Sequence, residues 1–101
     1  MARIQDLYVI AEGLDHPECV NPGPDGTLYA GGEIGQIYRI DDQAKTATQV
    51  GDTGGYVGGV CLDAAGMVYA FTATDPPQVA RIDPGTGRLT PTARPLRARR
   101  W

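Results

Sequence analysis

Residues 17–41, PECVNPGPDGTLYAGGEIGQIYRID, and residues 57–83, VGGVCLDAAGMVYAFTATDPPQVARID, are two versions of one pattern. Val20 corresponds to Val60, Gly26 to Gly66, Leu28 to Val68, Tyr29 to Tyr69 and Ala30 to Ala70, each 40 residues on. The triplet Arg39-Ile40-Asp41 returns as Arg81-Ile82-Asp83 at an offset of 42, so two residues are inserted between Phe71 and Val79. A repeat of about 40–45 residues made of short strands is the period of a β-propeller blade. One such sheet cannot bury both of its faces, and propellers close with about 4–8 blades. Two repeats therefore imply an all-β architecture of which most of the ring is missing.

Outward from the repeat, the apolar period is two rather than 3.6, in runs bounded by Gly, Pro and Asp. Four strands are expected in the first repeat, at Glu18–Asn21, Thr27–Gly31, Gln36–Asp41 and Thr46–Val50. Their counterparts are Gly58–Leu62, Met67–Thr72, Gln78–Asp83 and Arg88–Thr90. Pro24-Asp25-Gly26 carries turn chemistry: Pro presets φ, Asp bonds its own backbone and Gly accepts a positive φ. In the second repeat Ala64-Ala65-Gly66 keeps only the glycine. The two inserted residues predict a longer loop around Ala73–Pro77. Ahead of the repeats, Asp6–Ala11 (DLYVIA) reads as a further strand lacking a closing partner, an apolar edge prone to association. The organisation expected is an N-terminal strand in 1–12, a first blade in 13–53, a second in 54–91 and a basic tail in 92–101.

Hydrophobic content of 42% and charge of 21% suit a globular chain rather than a disordered one. No apolar run approaches the ~20 residues that span a bilayer, and the N-terminus lacks the features of a signal peptide. A cytoplasmic location with no membrane partner is the expectation. The net charge of −3 hides an asymmetry. Residues 1–90 hold all 12 acids and only Arg3, Arg39, Lys45, Arg81 and Arg88, whereas PTARPLRARRW holds four arginines and no acid. An acidic body argues against nucleic acid as a partner. The tail is read as linker or non-native sequence. Cys19 and Cys61 are expected as free thiols, acting as small buried hydrophobes on one face of equivalent strands.

In a propeller the first strand of each blade lines the channel, which puts Pro17-Glu18-Cys19 and Val57-Gly58-Gly59 at the channel. A carboxylate starting such a strand is costly to bury without a cation. A hard divalent ion would satisfy Glu18 as one oxygen ligand among several. A solvated loop glutamate after His16-Pro17 is the alternative.

HPECVNPGPDGTLYAGGEIGQIYRID resembles the first blade of the gluconolactonase / senescence-marker-protein (regucalcin) family of six-bladed propellers. The resemblance rests on Glu18 seven residues before Asp25-Gly26, and on the strand Gly35-Gln36-Ile37-Tyr38-Arg39-Ile40-Asp41. GGVCLDAAGMVYA is similar to that family's second blade, and the likeness spans residues 7–90. It departs at Cys19-Val20-Asn21, where Gly-Pro-Val would be commoner. The Pro-Glu start and the YAGG strand also look like strictosidine-synthase-like propellers, a sister group. The resemblance implies hydrolysis of a sugar-type lactone, with a divalent metal, Ca²⁺ by expectation, polarising the carbonyl. It implies Glu18 as the metal ligand of the first blade; an Asn and an Asp from later blades, and the catalytic groups, have no counterpart here.

The remaining polar residues read as structural. Asp15, Glu33 and Asp63 are acids near turns, with Asp63 in a turn slot. His16, the single histidine, reads as a loop residue without a partner. Tyr29 and Tyr69 repeat, which marks them as blade packing, and Arg39 and Arg81 are expected to pair with acids on the exterior. Two readings of function follow: a fragment of a metal-dependent lactonase-like hydrolase, inactive as encoded, or a binding or scaffold module whose open blades complete a ring by self-association.

Overall fold

A computed structural model describes residues 7–91 as eight strands in two four-stranded antiparallel sheets. The first sheet runs β1 (Val20–Pro22), β2 (Leu28–Gly31), β3 (Gln36–Asp41) and β4 (Thr46–Asp52) in sequence order. The second repeats the meander with β5 (Val57–Leu62), β6 (Val68–Thr72), β7 (Gln78–Ile82) and β8 (Leu89–Pro91). No helix occurs among the described residues. The two ladders share their central register, with one irregularity in each, at Ile37/Tyr38 in the first and at Val57/Gly59 in the second. Asn21 pairs with Tyr29 and Tyr29 with Arg39, as Cys61 pairs with Tyr69 and Tyr69 with Arg81. Leu28 faces Ile40 as Val68 faces Ile82. Of the two inserted residues, one lengthens β6, whose Thr72 adds a pair with Gln78, and the other lengthens the connection to β7 from four residues to five, 73–77.

The turns explain how different sequences build one ladder. In the first sheet Asp25 Oδ1 accepts the Thr27 N–H at 3.0 Å. The equivalent N–H, that of Met67, is bound by Asp63 Oδ1 at 3.0 Å, which also accepts the Ala65 N–H at 2.9 Å. Asp63 thus does from two places earlier in the repeat what Asp25 does, and the Ala64-Ala65 turn loses nothing. Its second oxygen accepts the Tyr69 hydroxyl at 3.0 Å, so Asp63 is structural, as its position implied.

The sheets stack face to face, and the core lies between them. Tyr29 and Ile37 project from the first sheet against Val60, Val68, Ala70, Ala80 and Ile82 of the second, with Val57 over the top. Ile37, Val57, Val68 and Ile82 are fully buried. At about 1.5–3 kcal/mol for each large side chain, they dominate the attraction between the sheets. Asn21 donates to the Val60 carbonyl at 2.6 Å and the Val57 N–H to the Gly32 carbonyl at 3.2 Å, which fixes one sheet's position on the other.

Several expectations are corrected here. Leu7–Ala11 forms no strand; beside it only Glu12 makes an isolated parallel bridge, to Thr46. Apolar alternation makes a strand only where a ladder partner exists, and this segment instead lies along the first sheet, tied by Glu12 N–H to the Lys45 carbonyl (3.2 Å) and by Lys45 Nζ to the Val9 carbonyl (2.6 Å). Strand β1 begins at Val20, so Glu18 and Cys19 precede it. Cys61 is exposed rather than buried, and Cys19 is half-buried against the core. The face that would hide Cys61 is the outer face of the second sheet, where Phe71 is 52% exposed. Arg39 and Arg81 make no ion pair among the described residues, although Arg81 lies close enough to help hold the Asp63 carboxyl below its usual range. The basic tail, 92–101, lies outside the described residues, as does Asp6.

Candidate metal centre

The segment entering the first sheet and the β2–β3 turn meet at one end of that sheet, and their polar side chains converge there. The turn is shaped by Gln36, itself buried at the start of β3. Its Oε1 accepts the Ile34 N–H at 3.1 Å while its Nε2 donates to Asp15 Oδ2 at 3.0 Å. Gly32 leaves the room for this, since a β-carbon there would collide with the Gln36 amide. The Glu33 N–H donates to the Asp15 carbonyl at 3.1 Å, and the Asp15 N–H to the Tyr38 hydroxyl at 3.2 Å. One residue of the entering segment, Asp15, is therefore held by the β2–β3 turn and by β3.

His16 follows with φ of 44°, a left-handed conformation that non-glycine residues seldom adopt. The bend turns its imidazole back between two carboxylates: Nδ1 lies 2.8 Å from Asp15 Oδ1 and 2.9 Å from Glu33 Oε2. The hydrogen bond to Asp15, then the charge of Glu33, raises the His16 pKa above its ordinary value. The same bond to His16, reinforced by Gln36, lowers the Asp15 carboxyl. The expectation that His16 has no partner is corrected by these contacts. Asp15 is its chain neighbour and Glu33 sits 17 residues on, at the tip of a turn; no spacing rule announces the meeting. One ligand atom from each of Asp15, His16 and Glu33 lies within 4.8 Å of the others, so the trio could hold a metal ion. Their mixed imidazole and carboxylate donors suit a divalent ion of intermediate softness.

Glu18 stands beside this trio, not in it. It is exposed, two residues ahead of β1, and its charge reaches both His16 and the Tyr56 phenol. Tyr56, 37% exposed, ends the connection between the sheets. Desolvation raises its pKa first, and Glu18 adds to that. The repeat equivalent of Glu18 is Gly58, which brings no ligand. Hard cations such as Ca²⁺ take about 6–8 oxygens. A lone exposed Glu18, with the nearby carboxylates already turned toward His16, falls short of that number. The described residues around Glu18 therefore do not by themselves make a calcium site.

The sequence pattern of the family described as Strictosidine synthase-like, N-terminal, matches residues 2–40, which reach from the entering segment to Ile40 of β3. No curated protein and no solved structure matches the chain. Over those residues the chain is similar to a propeller-related family, in keeping with its two stacked four-stranded sheets.

Proposed function

We propose that this chain is the N-terminal part of a metal-dependent hydrolase of the lactonase kind, acting on a sugar-type lactone and resident in the cytoplasm. The observation that carries the reading is the position of Glu18. It stands solvent-accessible two residues ahead of β1, an edge strand of the first sheet, at the end where Asp15, His16, Glu33 and Tyr56 gather. When bound, a divalent metal would polarise the lactone carbonyl and stabilise the developing oxyanion. Glu18 would be its ligand from the first sheet, and further ligands would come from sheets this chain does not contain. Tyr56 and the Asp15–His16–Glu33 trio offer donors and acceptors for the hydroxyls of a polar substrate. The chain alone is accordingly inactive. The test is lactone hydrolysis, followed by acid release, in the chain alone and in a version completed with further blades. Turnover in the completed ring that survives both a chelator and Glu18→Gln would overturn the reading.

A second reading, a binding or scaffold module that completes a ring by self-association, is favoured by the outer face of the second sheet. Tyr29 and Ile37 are buried by the second sheet, whereas their repeat equivalents Tyr69 and Val79 are half-buried and 38% exposed.

A further inference from the structure

We infer that Asp15, His16 and Glu33 form a binding site for one borderline divalent transition-metal ion of the Zn²⁺ class, which pins the segment entering the first sheet to the β2–β3 turn. The site is separate from the hard-cation role given to Glu18, and the inference does not rest on the lactone reading.

The first observation is a mismatch between acceptors and protons. Asp15 Oδ1 and Glu33 Oε2 converge on one ring nitrogen, His16 Nδ1, at 2.8 and 2.9 Å. That nitrogen carries at most one proton, and its hydrogen bond goes to Asp15. The Glu33 carboxylate is held as close, with no second hydrogen on Nδ1 to meet it. A divalent cation in the same space serves all three groups, taking the Nδ1 lone pair and one oxygen from each carboxylate. The three ligand atoms lie within 4.8 Å of one another. A tetrahedral ion about 2.0–2.1 Å from each ligand sets them about 3.3 Å apart. The two separations from Nδ1 then have to open by only a few tenths of an ångström. The side chains of His16 and Glu33, 76% and 54% exposed, have the room to do so, and water completes the shell.

The second observation is that one of the ligands is held from behind. Gln36 is buried, and its Nε2 donates to Asp15 Oδ2 at 3.0 Å while its Oε1 accepts the Ile34 N–H at 3.1 Å. Asp15 Oδ1 is thereby left aimed at the imidazole. Hydrogen bonds of this kind, one layer out from the ion, fix the orientation of a metal ligand. The donor set selects the ion. Imidazole suits Zn²⁺ and its transition-metal neighbours, whereas Ca²⁺ takes oxygens alone and needs about 6–8 of them.

The repeat supplies an internal comparison. In the first repeat the Glu33 N–H donates to the Asp15 carbonyl at 3.1 Å, and in the second the Ala73 N–H donates to the Tyr56 carbonyl at 2.8 Å. By the offset of 40, Asp15 corresponds to Gly55, His16 to Tyr56 and Glu33 to Ala73. The second repeat thus joins its entering segment to its turn through the backbone, with none of the three ligands. The fold does not require these side chains at the joint, and the first repeat adds all three together.

The full chain is titrated with Zn²⁺ by calorimetry at about pH 8, above the ordinary imidazole pKa. The ring signals of His16, the single histidine, are followed by NMR in the same series. One ion per chain is expected, with the His16 signals moving in step with the heat and the thermal midpoint rising with zinc concentration. His16→Asn, which tolerates the left-handed backbone at that residue, should abolish saturable binding. Glu33→Gln should weaken it by at least the roughly 10–100-fold that loss of an outer-layer partner costs. Glu18→Gln should weaken it far less, and excess Ca²⁺ should not displace the zinc. Co²⁺ in place of zinc should give no thiolate charge-transfer absorption. The inference is overturned if zinc does not saturate, if binding survives His16→Asn, or if a thiolate band makes Cys19 or Cys61 a ligand. A loss in Glu18→Gln equal to that in Glu33→Gln also overturns it. If His16→Asn loses its β-sheet circular dichroism, the exposed Glu33→Gln and the His16 ring signals decide. Zinc binding here and Glu18-dependent lactone turnover in a completed ring are separate readouts, so either reading can fail alone.

Discussion

Val57 lies directly on Gly31. A β-carbon added at Gly31 would collide with Cγ1 of Val57 and stand 2.6 Å from its Cβ, and Val57 has no exposed surface at all. This contact joins β5, an edge strand of the second sheet, to β2 of the first, and it sets how closely the two can approach.

Gly31→Ala should therefore destabilise the chain by about 1–3 kcal/mol through overpacking. Val57→Ala should cost about 2 kcal/mol through the cavity it leaves. In the double variant the new methyl occupies part of the lost volume, so urea unfolding should show less destabilisation than the two single costs added together.

Asp63→Ala removes the acceptor for the Ala65 and Met67 N–H groups and for the Tyr69 hydroxyl. A loss of about 1–3 kcal/mol is expected. Asp63→Asn keeps one carbonyl oxygen for the turn and should recover a good part of it, read by thermal unfolding of the two variants side by side.

The His16 cluster should give a pH optimum of stability. Its pKa is raised in the folded chain, so its contribution is complete below about 6.5 and is lost as the pH climbs through the folded value. Asp15 is lowered, so its contribution is present above about 3.9 and is lost as the pH falls through its own folded value. Both are satisfied in mildly acidic solution. NMR titration should place His16 above its ordinary pKa, and Glu33→Gln should bring it down. An unshifted imidazole would show that the two carboxylates do not hold it.

Calcium should bind the chain weakly, and Glu18→Gln should change that binding little, because affinity for hard cations follows the number of charged oxygens. Calorimetry showing tight binding lost with Glu18 would reveal ligands beyond those around it here.

Period and register were legible in the sequence because each strand must repeat its alternation to keep one face buried. The offsets at Tyr29/Tyr69 and Arg39/Arg81 fall on the observed ladder residue for residue. What escaped was whatever depends on a partner rather than on a pattern. Leu7–Ala11 alternates like a strand but has no ladder beside it. Cys61 repeats a place on a face that the chain leaves open. The His16 site was illegible for a sharper reason: a left-handed backbone at one residue, which no neighbouring side chain advertises, brings together groups that lie on a loop and on a turn.

The turn from β2 to β3 closes in four residues, whereas β6 to β7 takes five after a longer strand, and the pairing within each of these two hairpins keeps a single register. Length in this architecture is thus a local matter: an insertion at a hairpin tip is absorbed where it occurs and is not transmitted to the sheet. The first of these tips carries Glu33 to His16, and the second, with Asp75-Pro76-Pro77, has drifted to a different composition and reach. Chemistry at that rim can be exchanged blade by blade while the stacked sheets beneath keep the same spacing.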